Sequence, residues 1–114
     1  MKELIIGILL FTLGQAMIWY QTNGQFIWES FRKNPFLLAA AFGTLISYIL
    51  IYATRYVAGY FNGMLWPGRF IGFGTGILTF ALLTWAYTGE ELSPKVMVSL
   101  GLSVLLIGVQ IFWK

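Results

Sequence analysis

The chain contains no cysteine and no histidine. Disulfides, thiol chemistry and the usual zinc sites are excluded, and the redox compartment is left undetermined. Acids are equally scarce. Glu3, Glu29, Glu90 and Glu91 are the only four, and none falls inside an apolar run. Without a general base, nucleophile or metal site within a span, no enzymatic activity, cofactor or metal is expected. All charged residues together make up 10% of the 114, against about 25% in ordinary soluble domains. So small a soluble fold needs a charged shell, and these residues are too few to make one. Lipid is therefore the expected solvent.

What is present fits that reading. Hydrophobic residues are 59% of the chain and come in long runs rather than in the alternation of strands. The length suits one domain. A helix crossing the hydrocarbon core needs about 20 residues, and four such spans are expected, at about 4–22, 36–56, 69–88 and 94–113. The fold class is all-α, a polytopic membrane protein with short loops. Pro35 opens the second span at the first turn, where its missing N–H costs nothing. Gly89 stops the third, and Ser93-Pro94 caps the fourth. Met1-Lys2-Glu3 and the apolar stretch after it could pass for a signal peptide. A retained helix is preferred, because no small-x-small cleavage site follows. Trp19, Tyr20, Trp28, Tyr60, Trp66, Tyr87 and Trp113 sit near span ends, as an aromatic belt requires.

The net charge of +3 is not a nucleic-acid signal, because the seven cations are scattered near span ends. Lys2, Arg55, Arg69 and Lys114 fall on the side of the termini, and Arg32, Lys33 and Lys95 on the other. Four against three is a weak bias, compatible with insertion in either orientation.

Polar residues recur at helical spacing. Thr12, Gln15, Trp19 and Thr22 share one face of the first span, and Thr44, Tyr48, Tyr52 and Arg55 one face of the second. Thr75 pairs with Thr79, and Ser99 with Ser103. Serines and threonines of this kind are commonly interhelical glue. The cluster Gln15, Trp19, Tyr48 and Tyr52 is a candidate solute cavity, since an unpaired amide is unwelcome in lipid. Glycines repeat as well. Gly72 and Gly76 form a small-xxx-small pair around Gly74, Gly7 and Gly14 lie two turns apart, and so do Gly101 and Gly108. Such grooves mark helix association, within one chain or between two.

The stretch from Gly74 to Pro94, with its Gly-x-Gly, Trp85 nine residues on and Gly89-Glu90-Glu91-Leu92-Ser93-Pro94, resembles the small multidrug resistance proteins of the drug/metabolite transporter superfamily. Gly101 and Gly108-Val109 are similar to that family's dimerisation groove. The resemblance covers roughly residues 72–109. It implies a four-helix subunit of the cell (inner) membrane working as a homodimer, parallel or antiparallel, or paired with a sister subunit. The first span departs from the pattern. Proton-coupled members carry a mid-helix Glu there, whereas Gln15 cannot titrate.

The expected function is accordingly transport of a small hydrophobic, cationic or amphiphilic solute by alternating access, with the lipid bilayer as surroundings and no nucleic acid as partner. Gln15, Trp19, Tyr48, Tyr52, Trp85 and Arg69 are the candidate solute contacts, and Gly72, Gly74, Gly76, Gly101 and Gly108 the packing and dimerisation positions. Arg55 and Arg69 near one mouth suit either an anionic lipid-like head or snorkelling to headgroups. The alternative function is a non-transporting accessory subunit of a larger membrane complex.

Overall fold

A computed structural model of the protein describes Met1–Trp113. Lys114, one of the four cations expected on the side of the termini, lies outside the described residues. The expected all-α class is borne out, with no strand among the described residues. Four helices are long and apolar enough to cross a membrane. They are α1 (Lys2–Asn23), α3 (Pro35–Tyr60), α4 (Trp66–Thr88) and α5 (Pro94–Phe112), while α2 (Glu29–Lys33) is a single turn in the first loop. The protein is a multi-pass membrane protein.

The boundaries follow local chemistry. Pro35 sits in the first turn of α3, and Pro67 in that of α4. Gly89 ends α4 with φ +70°, a left-handed conformation that glycine adopts without a Cβ penalty. The Ser93 side chain caps α5 by accepting from the Val96 N–H at 3.3 Å. The turn between α3 and α4 is built from Asn62 at φ 58° and Gly63 at φ 86°. The α3 helix runs one turn past the expected 56, passing through Gly59, which does not take up a left-handed conformation and so does not end it; the turn comes at Asn62-Gly63. The 3-10 turn Gly24–Phe26 and α2 occupy what the sequence reads as plain loop.

The helices form a slab 47 × 36 × 19 Å in extent, about two helix diameters thick. Their order across it is α3, α1, α4, α5. The α1 helix packs on α3 and α4, and α5 principally on α4. Side-chain meetings fix the directions. Gly7 lies against Val57, and Gly14 against Leu50, so α1 and α3 are antiparallel. Gly72 meets Phe11, and Trp19 bonds Thr84, so α1 and α4 run parallel. Trp66 and Pro67 share a cavity with Gln110 and Ile111, Gly74 meets Ser103 and Ile107, and Thr84 and Trp85 share a cavity with Lys95 and Ser99, so α4 and α5 are antiparallel. The core joins Leu4, Phe11, Ala53, Val57 and Ile71. Burial falls outward, from 28% and 22% of the most apolar windows of α1 and α4 to 11% in α3 and 6% in α5. The fourth spanning helix is thus an outrigger, with Ser103 its one buried residue and the others at most half-buried.

The hydroxyls mostly do not act as interhelical glue. Thr12, Thr22, Thr44, Thr75, Thr88, Ser99 and Ser103 each donate to the carbonyl four residues earlier in their own helix, at 2.6–3.0 Å. Lipid offers no acceptor, so each hydroxyl turns back onto its own backbone. The polar links between helices come from longer side chains. Gln15 Nε2 donates to the Gly72 carbonyl at 3.4 Å, Gln21 Nε2 to the Leu38 carbonyl at 3.3 Å and Trp19 Nε1 to Thr84 Oγ1 at 2.9 Å.

Candidate functional site

On one side of the slab an open groove of about 400 Å³ runs along α4, with Gln15 as the α1 contribution. Gln15, Arg69, Gly72, Phe73, Gly76, Ile77 and Phe80 line it. The groove exists because of the glycines. A methyl on Gly72 would stand 3.1 Å from the Phe11 ring, and one on Gly76 would stand 2.9 Å from the Gln15 amide. Their bare backbones let α1 approach and bring Gln15 onto α4. At one end stands Arg69, one turn into α4 and exposed, its guanidinium 5.7 Å from the centre of the Phe73 ring. Among the described residues it has no carboxylate partner; the ion pair found is Lys33–Glu29 at 3.1 Å. Down the groove the wall becomes apolar through Phe73, Ile77 and Phe80, which are 55%, 37% and 50% exposed. Polarity is therefore graded, with a cation near the membrane surface and rings at depth.

Of the expected site residues, Gln15 and Arg69 share this groove, and the other four stand elsewhere. Trp19 is 2% exposed, bonded to Thr84 and stacked on Tyr87 with ring centres 5.3 Å apart. In this conformation it is a packing anchor closed to solutes. Tyr48 and Tyr52 share a face, as their spacing implies, with ring centres 5.1 Å apart and the Arg55 guanidinium 4.7 Å above Tyr52. That face points away from α1, and Tyr48 is 62% exposed. Ile46, Ala53 and Val57 are turned inward instead, since small Ala53 and Val57 let Gly7 come close. Trp85 lines a neighbouring cavity between α4 and α5, together with Thr84, Lys95 and Ser99.

The glycines separate into two classes. Gly72, Gly74 and Gly76 all meet neighbours within the chain, on α1 or α5. Gly101 and Gly108 have nothing within 4 Å of where a methyl would stand. Gly101 is two residues, or about 200°, from Ser103 and faces away from α4, while half-buried Gly108 stands about 100° from Ile107, at the flank of the face that meets α4.

Sequence reasoning missed an aromatic cluster on the side away from Met1. Tyr20 stacks on Trp28, and the Tyr20 and Tyr87 hydroxyls share a hydrogen bond of 2.8 Å. Trp28 and Phe31 close over Gly24, where a methyl would stand 2.5 Å from the Phe31 ring. The cluster ties the first loop back onto α1 and α4. The belt-like placement of these rings was the available signal, but it does not say that they touch.

Comparison with protein-family models, with curated proteins and with solved structures finds no match.

Proposed function

We propose that the protein is a small transporter subunit of the cell (inner) membrane, working as a dimer and moving a hydrophobic, cationic or amphiphilic solute by alternating access. The observation that carries this reading is the groove itself. Gln15 and Arg69, the amide and the cation closest to solute chemistry in the sequence, line one groove that is open from the side. A purely structural helix pair would gain by filling that space. The resemblance of residues 72–109 to the small multidrug resistance proteins points the same way. Gln15 supplies hydrogen bonds rather than a proton, so uniport or exchange without proton coupling at this position is the consistent mode.

The dimer is proposed to form through the outer face of α5. Gly101 and Gly108 leave a flat strip there, on a helix whose own chain buries little of it. Small residues favour close helix packing in lipid, where van der Waals contact replaces the hydrophobic effect.

The outer face of α5 also suits the accessory-subunit reading, in which a different protein covers it. Oligomeric state decides between them. The purified chain in mild detergent is expected to run as a dimer by light scattering. Gly101→Leu with Gly108→Leu should give a monomer of unchanged helicity, since a Cβ at either position meets nothing within the chain. A chain that is monomeric from the start, and a cell-based function that tolerates Gln15→Leu, would favour the accessory role.

A further inference from the structure

We infer that the groove between α1 and α4 is a binding site for an anionic amphiphile, with the acidic head on Arg69 and the alkyl tail laid along Phe73, Ile77 and Phe80. The inference rests on the transporter reading only for what happens after binding, and names the solute class of the same site.

Three observations lead to it. Arg69 is exposed one turn inside α4, at a level where an arginine reaches headgroups, and it has no carboxylate partner among the described residues. A guanidinium so placed presents several N–H donors in a fork that matches phosphate or carboxylate oxygens. Next, the apolar wall begins beside the cation and continues inward. From Arg69 to Phe80 the helix rises about 16 Å at 1.5 Å per residue, roughly half the hydrocarbon thickness. A head bound at Arg69 thus sends its tail down the groove toward the centre of the bilayer. Finally, the groove is open along its side and its exposed rings follow one another along one helix, which suits an extended chain better than a compact ring system. The same cation disfavours a cationic solute at this mouth, because no acid lines the groove to offset it.

The Gln15 amide closes the account at depth. Its Nε2 is committed to the Gly72 carbonyl, which leaves its oxygen as the free acceptor beside Gly76. A glycerol or amide group near the head of the amphiphile has a partner there.

The test is competitive binding to the full chain purified in neutral detergent, read by native mass spectrometry. Phosphatidylglycerol and phosphatidylcholine of matched chains are offered at equal concentration. The wild type is expected to retain phosphatidylglycerol at least tenfold over phosphatidylcholine. Arg69→Gln should remove that preference, the size expected for a lost charge-assisted hydrogen bond, and Arg69→Lys should keep part of it. Arg55→Gln, a cation on the same side held over Tyr52, should leave the preference intact. Equal loss in Arg55→Gln would mean diffuse surface charge and would overturn the site. Inorganic phosphate is the second arm: displacement of phosphatidylglycerol by equimolar phosphate would mean a free-anion site and would overturn the amphiphile. Because Arg69 is exposed, its variants should keep wild-type helicity and melting, so a lost preference reads binding and not folding. Binding in detergent requires no flux. Selective binding without flux supports the site and contradicts the transporter reading; flux without anionic preference does the reverse.

Discussion

Trp19→Ala is expected to be among the most damaging single substitutions, costing roughly 3 kcal/mol of stability against unfolding. Truncating a buried tryptophan in a soluble core costs about 3–5 kcal/mol. The low end applies here because the reference solvent is lipid, so lost packing counts and water exclusion does not. The indole is 2% exposed, stacks on Tyr87 and donates to Thr84, and so joins α1 to the far end of α4. Trp19→Phe separates the terms. It keeps most of the ring and loses the N–H, and Thr84 can then turn its hydroxyl back onto its own helix, as Thr75 and Thr88 do. A cost near 0.6 kcal/mol is expected for that change. Reversible unfolding in mixed detergent measures both. Stable Trp19→Ala protein with altered solute binding would return Trp19 to the solute site.

A side chain at Gly7 should do comparable harm by the opposite route. A methyl there would overlap the Val57 side chain and stand 3.3 Å from the Ala53 carbonyl oxygen, which is backbone and cannot turn aside. Gly7→Leu therefore forces α1 and α3 apart at their closest approach, beside the core residues Leu4, Ala53 and Val57. Overpacking costs about 1–3 kcal/mol where side chains can give, and with backbone in the way the upper figure is expected. The contrast with Gly108→Leu is the useful control. The two replacements are chemically identical, but at Gly108 the chain offers open space, so monomer stability should not change. Leucine is the better helix former at both positions, so equal destabilisation would mean that close approach within the chain is not what sets the cost at Gly7.

How much of this was legible beforehand depended on what kind of information was needed. The four spans follow from the length and composition of the apolar runs, and the structure has them with ends shifted by about a turn or less. Faces were legible too: Tyr48, Tyr52 and Arg55 do share one. Which way a face turns was not. Spacing fixes relative angles around a helix, whereas the rotation of α3 is set by how closely Gly7 and Gly14 let it approach, a property of the pair. For the same reason Trp19 and Gln15, four residues apart on α1, part company. Trp19 is drawn under Tyr87, and Gln15 is left at the open edge against Gly72 and Gly76. Arg69 was visible as a cation near a mouth, but its groove depends on two glycines of α4 meeting side chains of α1 from the other half of the chain.

Reconstituted flux is the direct measurement of the central claim. Liposomes of phosphatidylcholine carrying the protein receive trace headgroup-fluorescent phosphatidylglycerol, phosphatidylcholine or a cationic alkyl analogue, and an impermeant quencher is added outside. Signal from the inner leaflet should be lost faster than in protein-free vesicles, fastest for the anionic probe. That excess rate should fall to background in Arg69→Gln and in the monomeric Gly101→Leu, Gly108→Leu variant. Quenching that stops at the outer leaflet for all three probes, with folded dimeric protein in the vesicles, would contradict that claim and leave the chain as a helical subunit that transports none of them.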